Sequence, residues 1–412
     1  NIAFPLTTLC MSLALLFGIG GASCFNLSTG MGDKKRAGYY AGNSLTLLAV
    51  CGVILMAVTL VFLTPMLKLF GSTDNVLPYA EDYVRVTAFG FPFLLISAGG
   101  GHLVRADGSP QVTMLLNLVG AVVNIVLDAL FVLVFEWGMA GAAAATVIGQ
   151  VVSAVMVIVY AFKFKTVTLE KKHFIPQKVH LNRVVAIGMA SCFNQIAIGI
   201  VQVVLNNSLK HYGELSSYGA DDPIAVAGII MKVNMIVFSI VIGLAQGTQP
   251  IESFNYGARN FSRVREAYRL AVIAGGGISI LAFVLFQIFP KEILMIFGKG
   301  SDSYYEFGVK FFRIFLFFTW INCLQPITST FFTSIGKSIK GVFLSLTRQI
   351  IFFVPILLIL PLIFGINGIL YTGPIADVLS AVFAIIMAAY EFKAMKKLES
   401  EIKKSPDFGE NS

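Results

Sequence analysis

Eleven apolar stretches, each long enough to cross a bilayer, leave this chain few folds to choose from. They run at about 2–24, 38–66, 84–104, 111–135, 139–162, 183–209, 223–249, 264–289, 306–333, 342–364 and 367–392. A hydrocarbon core of about 30 Å requires roughly 20 apolar residues per helix. Lipid satisfies no backbone N–H or C=O, and the stretches are too long for barrel strands, so each is predicted as a transmembrane helix. Only 13% of the 412 residues are charged and 57% are hydrophobic. A soluble domain carries about 25% charge, so lipid must be the solvent here. The formal charge of +8 flanks the apolar segments and forms no single basic face, which argues against a nucleic-acid partner.

The basic residues alternate between loops. One set of loops holds Lys34, Lys35 and Arg36; Arg105; Lys163, Lys165, Lys171, Lys172, Lys178 and Arg183; Arg259, Arg263, Arg265 and Arg269; Lys337 and Lys340; and the tail lysines from Lys393 to Lys404. The other set holds Lys68, Lys210, Lys291 and Lys299 beside Asp74, Glu81, Asp221 and Asp222. The positive-inside rule makes the first set cytoplasmic. A multi-pass protein of the inner or plasma membrane is therefore expected, with Asn1 outside and the C-terminus in the cytoplasm.

The chain also repeats at an offset of 227. Gly20 pairs with Gly247, Gly30 with Gly257, Arg36 with Arg263, Phe70-Gly71 with Phe297-Gly298, and Gly138 and Gly141 with Gly365 and Gly368. Gln150-Val-Val-Ser-Ala-Val155 likewise matches Asp377-Val-Leu-Ser-Ala-Val382. Matches on one offset at corresponding topological places indicate a duplication. Six spans per repeat is an even number, so the halves are parallel repeats, predicted as two six-helix lobes around a V-shaped central cavity. The expected organisation is an N-lobe over 1–162, a linker over 163–182, a C-lobe over 183–392 and a basic tail over 393–412. The span at 183–209 finds its repeat partner before residue 1, so a twelve-helix protein is expected, of which eleven helices are present here and the first is missing. A monomer is the expected unit.

Several motifs together resemble the multidrug and toxic compound extrusion (MATE) family. Gly243-Leu-Ala-Gln-Gly-Thr-Gln-Pro250 followed by Phe254-Asn-Tyr-Gly-Ala-Arg259 is similar to the family's loop after its eighth helix. Arg105-Ala-Asp-Gly-Ser-Pro110 with Asn124-Ile-Val-Leu-Asp128 resembles its fourth-to-fifth helix passage, and Gly138-Met-Ala-Gly-Ala-Ala-Ala-Ala-Thr146 the start of its sixth. The likeness implies an antiporter that expels small organic, often cationic, compounds against a Na⁺ or H⁺ gradient, with no other cofactor. It also implies that the Asp128 position works with an acid on the first helix. Flippases of lipid-linked sugars share the broad architecture and are the alternative.

Asp128 is the principal candidate for chemistry. An ionisable group within a span costs about 2.5–3.5 kcal/mol on insertion scales and usually faces a cavity or a partner. Asn117, Asn124 and Asp128 recur at i, i+7 and i+11, on one helical face. Thr146 is predicted within one helical turn of Asp128 in depth, on the antiparallel neighbour. A carboxylate, an amide oxygen and a hydroxyl would suit Na⁺ or a titrating carboxyl. The same residues would equally serve to tie helices together by hydrogen bonds. The offset carries Asp128 onto Pro355 and Thr146 onto Gly373, so the cluster is not duplicated. The second lobe offers Asp377, opposite Gln150 and just after Pro374, as a second polar site. Further cavity candidates are Gln195, Gln202 and Asn206 on the span at 183–209 and Gln325 on that at 306–333. Glu252 is read as a solvated helix end.

Other patterns yield nothing further. The five cysteines fit neither a zinc site nor a disulfide framework, and the four histidines have no metal spacing. Gly336-Lys-Ser338 lacks the first glycine of a phosphate loop, since Phe331 stands there. Gly20-Gly21 and Gly275-Gly-Gly277 are read as close helix packing. No His, Asp or Ser cluster at the cytoplasmic face suggests an enzyme. A flippase cavity calls for several inward bases to hold pyrophosphate, and Lys232 is the one deep base the sequence offers.

Overall fold

The computed structural model describes residues 4–69, 77–219, 221–297 and 300–404. Every regular element in them is helical. The helices are α1 (Phe4–Gly30), α2 (Lys34–Val61), α3 (Leu63–Leu69), α4 (Leu77–Ala106), α5 (Pro110–Asp128), α6 (Gly138–Ala161), α7 (Lys178–Glu214), α8 (Asp221–Gly257), α9 (Phe261–Ile288), α10 (Pro290–Phe297), α11 (Asp302–Phe315), α12 (Leu324–Ser334), α13 (Ser338–Leu346), α14 (Val354–Phe364) and α15 (Ile366–Lys404). Wider π-turns follow α5 at Ala129–Val134 and α13 at Thr347–Phe353. Among the described residues, eleven helical segments are long and apolar enough to cross a membrane.

The span expected at 306–333 is broken. The stretch at 306–333 forms α11 and α12, joined by a 3₁₀ turn at Thr319–Ile321. Pro326 lies in the first turn of α12. It donates no backbone hydrogen bond, so the helix restarts where that donor would have gone unused anyway.

The duplication is visible in the element boundaries. Shifted by 227, α2 falls on 261–288, the span of α9, and α3 falls on 290–296 within α10. Left-handed backbone recurs as well: Gly32 (φ 82°) corresponds to Arg259 (φ 58°), and Gly138 (φ 56°) to Gly365 (φ 57°). Asp33 and Asn260 then stand at equivalent N-caps. The match at Phe70-Gly71 and Gly298 lies outside the described residues, as does the tail beyond Lys404.

Contacts divide the chain into two units, Asn1–Ile196 with Ile335–Ile339 and Ala197–Ser334 with Lys340–Ser412. The division runs through α7 because its first half packs on α1. A Cβ on Gly20 would strike the Val184 carbonyl, and one on Gly188 the Leu16 carbonyl. Gly21 is equally tight against Ser44, and Gly275 against Ile327 at 2.8 Å. Gly276 and Gly277 meet nothing within 4 Å among the described residues, so close packing accounts for only part of the glycine clusters.

The linker is a docked element. The Asn43 side chain donates to the His173 and Ile175 carbonyls (2.8 and 3.1 Å) and accepts the Gln177 N–H at 2.7 Å. Thr46 donates to the Phe174 carbonyl at 2.8 Å. Asp107 accepts the N–H groups of Lys165 and Thr166 and the Tyr160 hydroxyl. His173 stacks edge-on to Tyr39, and its Nδ1 accepts the Glu170 N–H at 3.0 Å, while Nε2 has no partner among the described residues. Burial holds the His173 imidazole below its ordinary pKa, with Glu170 opposing. An undocked linker would bind protons near pH 6.5, where the docked one resists them. Docking is therefore complete above about pH 6.5 and weakens as pH falls. Hydrogen exchange at 170–177, corrected for intrinsic rates, should accelerate several-fold between about pH 7.5 and 5.5. Unchanged protection, or the same acceleration in His173→Gln, would contradict this.

Candidate ion-coupling site

Helices α5 and α6 approach closely enough for backbone contact. A Cβ on Gly149 would lie 2.7 Å from the Gly120 carbonyl and 3.1 Å from the Asn124 Cβ. Ser153 donates to the Leu116 carbonyl at 2.8 Å, clamping the same seam. Beyond Asp128 the chain widens into the π-turn, and Phe131, Phe135 and Trp137 close the α5–α6 corner with ring centroids 4.8–6.0 Å apart. π-Turns inside helices often mark functional positions.

Asn124 and Thr146 face each other across this seam. Asn124 Nδ2 donates to Thr146 Oγ1 at 3.3 Å, and the Thr146 hydroxyl donates to the Ala142 carbonyl at 3.0 Å. The hydroxyl thus meets the amide rather than the carboxylate, one helical turn short of Asp128. Asp128 is half-buried, and its Oδ1 is shielded from solvent with no hydrogen-bond partner among the described residues. A shielded carboxylate oxygen without a partner leaves an acceptor position open. Asn117 is exposed, at a level where Leu116 and Gly120 make the buried contact. Gln150 turns to α4, its Oε1 2.6 Å from where a Gly90 Cβ would stand.

The remaining candidates are scattered. Gln202 donates to Asn206 at 3.0 Å on an open part of α7, and Gln195 is half-buried. Gln325 is buried and donates to the Leu344 carbonyl at 2.6 Å, joining α12 to α13. Asp377 is buried against Arg348, with Oδ1 2.6 Å from Nε. That pairing escaped the sequence reading, which took Lys232 as the one deep base. The solvated-end reading of Glu252 is overturned: the residue is 1% exposed, and neither carboxylate oxygen has a partner among the described residues. The repeat held the clue, since offset 227 sets Glu252 opposite Phe25, a core position.

The family model MatE matches residues 1–130 and 190–359. The chain belongs to the MatE family. It is therefore a membrane transporter, not an enzyme. It is similar to multidrug export protein MepA of Staphylococcus aureus (strain MSSA476), 24% identical over 388 residues that cover 94% of this chain and 84% of that one. MepA of Staphylococcus haemolyticus (strain JCSC1435) is 21% identical over the same shares. Two solved MATE structures share the fold. A MATE in the bent conformation superposes with TM-score 0.89 at 22% identity, covering 97% of this chain and 88% of that one. An outward-facing multidrug resistance MATE transporter of the MOP superfamily superposes at 0.88 with 23% identity, covering 95% and 87%.

Proposed function

We propose that this MATE transporter is a cation-coupled antiporter that exports small organic, cationic compounds, with Asp128 carrying the coupling ion. The observation that carries the reading is the shielded, unpartnered Asp128 oxygen beside the Asn124–Thr146 pair. Coupling requires an ion that interacts differently with two conformations of the protein, and a carboxylate with an open coordination position meets that need. The export direction and the organic substrates follow the multidrug export relatives. The basic loops and the C-terminus would face the cytoplasm.

The flippase alternative requires free interior bases for pyrophosphate. Lys232 is exposed, and Arg348 is committed to Asp377. The Arg348 pairing favours the exporter. The test is accumulation of a fluorescent organic cation in inverted membrane vesicles under an imposed Na⁺ or H⁺ gradient. One gradient should drive uptake severalfold above the ungraded control. Equal uptake with and without either gradient would refute coupling.

A further inference from the structure

Glu252 lies in the last two turns of α8, yet it is 1% exposed and both its oxygens lack a hydrogen-bond partner among the described residues. Its polar neighbour is the Ser334 hydroxyl. That hydroxyl spends its only proton on the Thr330 carbonyl, 2.8 Å away, so it turns lone pairs toward Glu252. With that proton on Thr330, the carboxylate and the hydroxyl oxygen are both acceptors, and a proton or a cation between them would satisfy both.

Among the described residues, the charged groups on the surrounding helices are engaged elsewhere. On α9, the Tyr268 hydroxyl is 2.8 Å from that of Thr328, and Arg265 pairs with Glu399 at 2.8 Å. Helix α12 carries no ionisable side chain. On α15, Glu391 is itself buried and holds Lys340 of α13 at 2.9 Å, one turn of α8 away, beside Tyr256. The start of α11 meets the far end of α8, where Ser301 donates to Asp222 at 2.9 Å. In the first unit, the repeat mates of Glu252 and Glu391 are Phe25 and Phe164, which pack edge to face with centroids 5.8 Å apart. Two rings fill in one unit what two carboxylates occupy in the other.

We infer that Glu252 and Ser334 form a second monovalent-cation site, in the second unit, holding one H⁺ or Na⁺ between the carboxylate and the hydroxyl. A carboxylate and a hydroxyl are hard oxygen donors suited to either ion. An apolar residue would pack at lower cost, as Phe25 does, so the buried acid weakens the fold unless an ion accompanies it. The site extends the coupling reading to a second ion but does not depend on Asp128, because it lies on separate helices in the other unit.

The test uses the purified full chain reconstituted in liposomes, with sodium-22 binding and the infrared band of a protonated carboxylic acid as readouts. Glu252→Gln should lose either one bound Na⁺ per chain or the protonated-carboxyl band, and the readout lost identifies the ion. Glu252→Asp, which keeps the charge one methylene shorter, should keep that signal with half-saturation shifted about tenfold. The signal assigned to Glu252 should persist in an Asp128→Asn background, so failure of the Asp128 reading would show separately. Unchanged sodium stoichiometry and an unchanged band in Glu252→Gln would overturn the proposal, as would wild-type half-saturation in Glu252→Asp.

Discussion

Asp128→Asn is expected to abolish gradient-driven export while leaving substrate binding measurable. The amide keeps the size and most of the packing of the carboxyl but is neutral in both states of a transport cycle. A unit charge about 4 Å from a cation is worth roughly 4 kcal/mol at an effective dielectric of 20, and every 1.4 kcal/mol is about tenfold in affinity. Loss of the charge should therefore weaken ion binding by about 10³-fold. Asn124→Ala and Thr146→Ala each remove one neutral oxygen, and a membrane hydrogen bond averages about 0.6 kcal/mol. Each should weaken coupling only about threefold. Export assays in vesicles check the ranking. If Na⁺ drives transport, the two milder variants should raise the Na⁺ concentration for half-maximal rate; if H⁺ does, their pH profile should move. Wild-type export by Asp128→Asn under both gradients would reduce Asp128 to a packing residue.

The second large effect concerns Asp377. With Arg348 at 10% and Asp377 at 2% side-chain exposure, removing either partner strands a charge inside the second unit. Breaking a buried pair from one side typically costs about 3–5 kcal/mol, whereas replacing both partners with apolar groups is often neutral. Asp377→Ala should therefore lower the unfolding midpoint of the detergent-purified protein sharply. The double variant Arg348→Met with Asp377→Leu should recover most of it, together with export. A stable double variant that no longer exports would place the pair in the transport cycle rather than in the fold.

The span count, the duplication and the family were legible in the sequence because each is written in many residues at once. Bilayer thickness sets the length of every apolar run, and the 227 offset recurs in helix ends and in the left-handed positions at Gly32 and Arg259. Single side-chain contacts were not legible, because they depend on helix rotation. Depth alone put Thr146 level with Asp128, but rotation gave it to Asn124. Glu252 was misread for a related reason. Closeness to a helix end suggests solvent, yet α12 covers that end, with Ser253 donating to the Ser334 carbonyl at 2.8 Å. Arg348 and Asp377 are far apart in sequence, and only the packing of α15 on the π-turn after α13 brings them within 2.6 Å. The break between α11 and α12 was hidden because apolar composition runs straight through it, and Pro326 alone marks the restart.

The central claim is antiport through Asp128, and ion movement in response to substrate tests it most directly. Reconstituted protein with no imposed gradient would be given an organic cation on one side, while internal pH and sodium are followed. The account predicts that Na⁺ or H⁺ moves opposite to the substrate in the wild type and that Asp128→Asn shows no such movement. Substrate crossing with neither ion countermoving, or countermovement intact in Asp128→Asn, would contradict it.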